Sequence, residues 1–286
     1  MTQAATRLTP PIAAAVALAV ALLCAVGQAR AVDAGVLRVC ADPDNMPFSN
    51  GKGEGFENKL AELIAGRLDR ELIYTWFPED TGYVPNTVGE NACALVMGYA
   101  QGTNLIEDTN PYYYASYVLI TRADDAALSG VTSLSDPRLK SKRIGLVAHT
   151  PPASILAMHG LIANARPFDA RSGQSPSAVA QDMIAEIVSG ELDAGLLWGP
   201  IGGYFAARAD TPLNVVPLVK ERAGPATFYG ITLGIRPDEP QFKHQVNKVL
   251  AENADEITAV LQEYNVPVLD RDGKLLTSPE AVPPGQ

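Results

Sequence analysis

Residues 37–57, Leu-Arg-Val-Cys-Ala-Asp-Pro-Asp-Asn-Met-Pro-Phe-Ser-Asn-Gly-Lys-Gly-Glu-Gly-Phe-Glu, leave this chain few ways to fold. Residues 37–41 form a short, buried-type apolar run of strand length. Asp42-Pro43 ends it, because proline offers no ladder donor and restrains the residue before it. Pro47, Asn50, Gly51, Gly53 and Gly55 then make a turn-rich loop. From Phe56 onward, Phe56, Leu60, Leu63, Ile64 and Leu68 recur at the spacing of one helix face. Strand, loop and helix in this order open an α/β domain. Ligands of open α/β sheets sit beyond the carboxyl ends of the strands. The 42–48 loop is therefore expected to face whatever the protein binds, which makes Asp42, Pro43, Asn45 and Phe48 candidate contacts.

The segment before this unit reads as a leader. Arg7 gives a basic start, residues 12–26 are apolar but shorter than the roughly 20 residues of a bilayer span, and Ala29-Arg30-Ala31 is a small-x-small cleavage signal. Residues 1–31 are thus expected to be a signal peptide and the protein to be periplasmic. Cys24 follows Leu23, where a lipoprotein signal wants a small residue. The chain carries −10; losing Arg7 and Arg30, with no acid in the leader, takes it to −12. Such acidity disfavours nucleic acid and anionic membranes and suits a partner with a basic patch. Two cysteines remain after cleavage, Cys40 and Cys93. An oxidising compartment invites their pairing. Against it, aligned ends of parallel neighbouring strands would hold their α-carbons too far apart, and two small buried residues is the plain alternative.

Further along, residues 72–77 and 93–97 read as strands and 117–121 as a β-branched run. A connector follows through 128–134. A second strand–loop–helix unit starts near Lys142, with a strand at 143–148, a loop at His149-Thr150-Pro151-Pro152 and a helix from Ser154. Residues 176–189 read as a helix stopped by Gly190, 193–198 as a strand, 201–209 as a helix, and 242–264 as one long amphipathic helix. An internal echo links the units: Gly-Glu-Asn-Ala-Cys-Ala-Leu-Val-Met-Gly at 89–98 and Gly-Glu-Leu-Asp-Ala-Gly-Leu-Leu-Trp-Gly at 190–199. Each follows a helix and runs as a strand to a glycine. The echo supports two α/β lobes of like topology, with Gly98 and Gly199 on opposite walls of a cleft.

This organisation resembles a type II periplasmic binding protein, each lobe a mostly parallel sheet flanked by helices. The first lobe is expected over 36–120 and 228–269, the second over 121–227, and a poorly packed tail over 271–286. More specifically, residues 37–50, Gly-Glu-Gly-Phe-Glu-Asn-Lys at 53–59, Pro-Tyr-Tyr at 111–113 and Trp-Gly-Pro-Ile-Gly-Gly-Tyr-Phe at 198–205 resemble the solute-binding-like proteins associated with quinoprotein dehydrogenases, the MxaJ and XoxJ type of methylotrophic bacteria. That resemblance implies periplasmic action beside a pyrroloquinoline-quinone (PQQ)-dependent methanol or alcohol dehydrogenase, in its maturation or activation. It implies no cofactor on this chain itself; PQQ and a calcium or lanthanide ion belong to the partner enzyme.

Amino-acid-binding relatives of this fold clamp the ligand carboxylate with an arginine before the Pro-Tyr motif and meet the ammonium with an aspartate at the end of a second-lobe strand. A bidentate arginine–carboxylate pair is the natural solution to that task. Here no arginine or lysine lies between Gly98 and Thr121, and Trp198 stands where the aspartate would be. The expected cleft is aromatic and weakly charged: Phe48, Tyr83, Tyr99, Tyr112, Tyr113 and Trp198, with Gly98, Gly199 and Pro200 at strand ends. His149 and Thr150 join it at a strand-to-helix turn that favours anions, with Thr150 as the expected cap. Consecutive tyrosines at 112–114 alternate faces on a strand, so at least one belongs to the core. Asp42, Asp44, Glu54 and Glu57 match no calcium-loop spacing and read as solvated loop charge. Three scattered histidines give no zinc pattern, and no Gly-x-Ser-x-Gly, phosphate loop or dinucleotide fingerprint is present. A non-catalytic binding protein follows from these readings; its rival is a transport receptor for a small, weakly charged or aromatic solute.

Overall fold

The computed structural model describes residues 35–78, 83–102, 106–169, 175–237 and 239–276. Strand β1 (Val36–Ala41) ends at Asp42, as the sequence requires. A two-residue ladder, β2 (Asp44–Asn45) with β3 (Ser49–Asn50), folds the following loop back on itself around a cis Met46–Pro47 bond. Helix α1 (Phe56–Arg67) buries Phe56, Leu60, Ala61, Ile64 and Ala65. Completely burying a side chain such as Phe56 contributes about 1.5–3 kcal/mol. Strand β4 (Glu71–Trp76) lies parallel to β1 on one side, and β5 (Leu95–Ala100) lies parallel to it on the other.

The chain crosses between lobes on β7 (Tyr113–Arg122), which follows the short β6 (Glu107–Asp108). Residues 113–116 of β7 pair with β12 (Phe228–Ile235), and residues 117–121 pair with β10 (Ala194–Trp198). The second lobe adds β8 (Ile144–Val147), helix α2 (Pro151–Met158), β9 (Ala165–Phe168), helix α3 (Pro176–Ser189), helix α4 (Gly199–Ala206) and β11 (Leu213–Pro217). The strand order is β4-β1-β5-β12-β7-β10-β8-β9, with β11 against the far half of β7. Helices α5 (Pro240–Glu252) and α6 (Ala254–Glu263) return to cover the first lobe. Each lobe has its own buried clusters, Leu37, Phe56, Leu95 and Leu261 in one and Leu119, Leu139, Ile144 and Leu196 in the other. This is the two-lobed, mixed α/β architecture expected from the sequence.

Several elements differ in detail. The long helix expected over 242–264 breaks at Asn253, whose backbone leaves the helical region (φ −122°, ψ 25°). Its amide donates to the Val249 carbonyl at 2.7 Å, and its side-chain oxygen accepts from Arg67 Nε at 2.7 Å. That tertiary bond turns the chain, and periodicity alone does not register it. The 128–134 connector is core: Leu128, Val131 and Leu134 are buried. The tail is partly ordered, since Leu276 N–H donates to the Val268 carbonyl at 2.8 Å and Leu275 bridges Leu269. Helix α2 begins at Pro151 rather than Ser154, because proline needs no donor in a first turn.

Cys40 and Cys93 are joined, with α-carbons 5.6 Å apart. Cys93 does not open a strand, so the parallel-strand spacing that would keep the two α-carbons apart does not apply. The residue lies instead in the turn before β5, which begins two residues later at Leu95, and that turn brings it onto β1. Both cysteines are buried. The proposed signal peptide lies outside the described residues, and among those residues no helix is long and apolar enough to cross a membrane.

Candidate functional site

The 42–55 loop is built from its own polar groups. The Asp42 carboxylate accepts the Asp44 N–H at 2.8 Å, and the Asp42 carbonyl accepts the Ser49 hydroxyl at 2.8 Å. The exposed Pro43 gives its carbonyl to Gly51 N–H, and the buried Asn45 gives its carbonyl to Phe48 N–H. Asn58, fully buried, accepts N–H bonds from Gly55 and Asn50 on one side-chain oxygen. The Phe56 and Glu57 N–H groups, the free donors of a helix start, go to the Pro47 and Phe48 carbonyls at 2.8 Å each. Two of that helix terminus's orphan donors are therefore met from within the loop.

Aromatic rings cover the same region. Phe48 packs on Phe56 at 5.1 Å between centroids, and Phe56 meets Tyr113 and Tyr264 edge-on. Tyr113 is core, as one of the three consecutive tyrosines has to be, while Tyr112 is half-buried and edge-on to it at 4.9 Å. Trp198, at the end of β10, lies edge-on to Tyr117 at 5.2 Å and to Tyr229 at 6.0 Å, one ring from each crossing strand. Phe48, Tyr112 and Trp198 thus pack against one and the same first-lobe core. The two lobes also touch directly here, where the Ser177 hydroxyl donates to the Met46 carbonyl at 2.5 Å.

Glycines set the approach of the lobes. A Cβ at Gly199 would lie 2.5 Å from the Ser116 carbonyl oxygen, and one at Gly203 would lie 2.1 Å from that of Asn265. Helix α4 therefore presents a bare face to first-lobe backbone. Beside it Tyr204 stacks on Tyr264 at 6.2 Å, with the Arg208 guanidinium over the Tyr204 ring at 3.5 Å. Gly98 has a positive φ of 74°, and the Glu57 carboxylate fills the space beside it. Both glycines of the internal echo are covered by neighbouring groups.

Two groups of expected contacts lie apart. Tyr83 is buried beside the disulfide and stacks on Tyr99 at 6.4 Å, with Phe77 behind it. His149 is exposed with φ 63°, and together with Thr150, Pro151, Ala153, Ala157 and Pro225 it lines a cavity of about 570 Å³ on the second lobe. Thr150 occupies the cap position of α2 but does not cap: its hydroxyl donates to the Val147 carbonyl at 2.6 Å. Pro200 is buried in the first turn of α4.

Arg122, the first base after the long gap, is occupied in the second lobe, where it donates to the Ile187 carbonyl at 2.9 Å. Among the described residues no group of three or more His, Cys, Asp or Glu is placed to hold a metal ion. Sequence reading missed Tyr117, Tyr229 and Ser177 at the seam. The first two carry no motif of their own, and their position follows only from the register that sets Tyr117 opposite Trp198.

Burial, with the neighbouring Tyr229 adding to it, pushes the Tyr117 phenol up to about 12. A raised phenol pKa favours the protonated, folded form. This contribution is complete below the unfolded value of about 10 and is lost as pH rises through the folded value. A tyrosinate absorbance titration should therefore contain one late component that Tyr117→Phe removes, and unfolding free energy should fall between those two pH values.

The two lobes, the strands that cross between them and the loop where the lobes meet define a periplasmic binding protein of the type II fold. No family model matches the chain. XoxJ from Methylobacterium extorquens AM1, a solved periplasmic binding protein, is 38% identical, with a TM-score of 0.70 over 82% of this chain and all of that one. The chain belongs to the MxaJ/XoxJ type of periplasmic binding proteins. Solved MxaJ from Methylophaga aminisulfidivorans is 26% identical with a TM-score of 0.72, over 82% of this chain and all of that one. Protein MoxJ of Methylorubrum extorquens is 28% identical over 278 residues, spanning 88% of this chain and 91% of its own.

Proposed function

We propose that this chain is a periplasmic, non-catalytic accessory protein of a PQQ-dependent methanol or alcohol dehydrogenase, acting in that enzyme's maturation or activation. PQQ and its calcium or lanthanide ion would belong to the dehydrogenase. One observation supports a protein partner over a small polar solute. At the end of β10, where an amino-acid receptor of this fold would need a charged anchor, the chain has Trp198 packed between Tyr117 and Tyr229. Aromatic surface with polar tips suits an apolar segment of a partner.

Pull-down from periplasm, with the tagged mature chain as bait, tests this. A quinoprotein dehydrogenase should be recovered from cells grown on methanol. Its absence under every growth condition, together with clear thermal stabilisation by a free alcohol, quinone, sugar or amino acid, would overturn the proposal in favour of a transport receptor.

A further inference from the structure

We propose that the two lobes are clasped into one rigid body, and that this protein binds with a fixed surface instead of opening and closing around its ligand. Hinged two-lobed proteins need crossing segments that absorb a change in backbone angle, and facing surfaces that part freely. Among the described residues neither requirement is met. Strand β7 passes between the lobes without a loop: residues 113–116 pair with β12, 117–121 with β10 and 118–122 with β11. At the boundary, Tyr117 N–H donates to the Thr227 carbonyl at 2.9 Å, and the Tyr117 carbonyl accepts Leu218 N–H at 2.8 Å. Thr227 is buried, and its hydroxyl donates to the Leu218 carbonyl at 2.6 Å. The second crossing, where Thr227 leads into β12, is therefore braced against the first. A change of angle there would leave buried backbone groups unpaired, which is costly.

The facing surfaces interlock. Pro267 of the first lobe lies against both bare positions of helix α4: a Cβ at Gly199 would lie 3.3 Å from Pro267 Cγ, and one at Gly203 would lie 2.9 Å from Pro267 Cδ. With the Ser116 and Asn265 carbonyls, these are atoms of backbone or of a proline ring, and none can rotate aside. Lobe rotation that presses α4 inward is blocked by them. Rotation that lifts α4 outward strips Trp198 and Tyr204, second-lobe rings that pack against the first-lobe core. It also unstacks Tyr204 from Tyr264 and parts the Ser177 hydroxyl from the Met46 carbonyl. Farther along, the chain after α6 reaches the second lobe, where a Cβ at Gly273 would lie 3.3 Å from Val219 Cβ.

A clamshell that closes on a ligand needs at least one sense of rotation to be free. Here both senses are opposed, one by backbone contact and the other by aromatic burial. A ligand shifts a conformational equilibrium only as far as it binds one state better than the other, and a single packed arrangement offers it no second state. A partner therefore meets both lobes at a constant separation, and binding to such a preformed surface needs little reorganisation. The clasp belongs to this chain alone, so its test needs no partner.

Double electron–electron resonance on the mature chain tests the clasp. Nitroxide labels at Glu62→Cys on α1 and Ser154→Cys on α2 report the separation of the lobes; both positions are exposed, and Cys40 and Cys93 are joined to each other. One narrow distance distribution is expected. Adding Ser177→Ala and Tyr204→Ala deletes the bond and the stack without adding an atom. The doubly trimmed chain should show a second distance in at least about a tenth of the molecules, with its circular dichroism unchanged. Two distances or a broad spread without the trimming would overturn the proposal, and that result decides even where the trimmed chain fails to fold. A single, unchanged distance in the trimmed and folded chain would overturn it too, because these contacts would then not be what holds the lobes.

Discussion

Gly55→Ala is expected to lower the melting temperature by about 10 °C, as measured by differential scanning calorimetry on the mature chain. The backbone angles at Gly55 (φ −81°, ψ 160°) suit any residue, so the effect is purely steric. An added Cβ would lie 2.0 Å from the Phe48 carbonyl oxygen and 2.4 Å from its carbon. These are backbone atoms, so no side chain can rotate away. The same carbonyl accepts the Glu57 N–H, and Gly55 N–H is itself bound to Asn58. Relief of the clash breaks at least one of these buried bonds. Overpacking with bond loss costs about 3–4 kcal/mol, and each kcal/mol is about 2–4 °C for a chain of this size. Gly51→Ala is the control. Its Cβ would come no nearer than 3.9 Å to Pro43, and the melting temperature should move by less than about 2 °C. Equal effects at the two positions would contradict the arrangement of the loop.

Removing the disulfide should have an effect of similar size. Cys40 and Cys93 are 53 residues apart in sequence, and closing a loop of that length restricts the unfolded chain by about 4 kcal/mol. Cys40→Ala/Cys93→Ala should thus melt about 10 °C below the oxidised wild type. Wild type treated with reductant should move toward the double variant, and the variant itself should not respond to reductant. The bond also holds the turn before β5 on β1, beside Tyr83 and Val84. Limited proteolysis should therefore cut the variant first between β4 and β5. A double variant as stable as wild type would show that the bond adds nothing to the fold.

Much of the architecture was legible because local chemistry and global fold agree. The 37–57 run gave strand, loop and helix in order, and Gly190 ends α3 in the left-handed conformation that its position suggests (φ 80°). What escaped depends on distant partners. Asn253 breaks a helix because Arg67, far away in sequence, binds its side chain. Cys93 reaches Cys40 because a turn, not a strand, carries it. The run 198–205 stood out as a motif, yet its glycines made sense only once Ser116 and Asn265 were found against them. Their spacing, Gly199 and Gly203 four apart on one helix face, was the available signal. Of the candidate contacts, Phe48, Tyr112 and Trp198 pack against one core cluster, whereas Tyr83 with Tyr99, and His149 with Thr150, lie in two other places. Strand ends are visible in a sequence; which way a ring turns from a strand end depends on what packs beside it.

The most direct measurement of the proposed role is the specific activity of the dehydrogenase in a deletion strain. Periplasm from cells lacking this chain, grown under conditions that express a quinoprotein methanol dehydrogenase, would be assayed for dye-linked alcohol oxidation per mole of dehydrogenase protein. Activity at least about tenfold below wild type, restored by the wild-type chain supplied in trans, is the expected result. Unchanged specific activity with unchanged PQQ and metal content in the enzyme would contradict the accessory role.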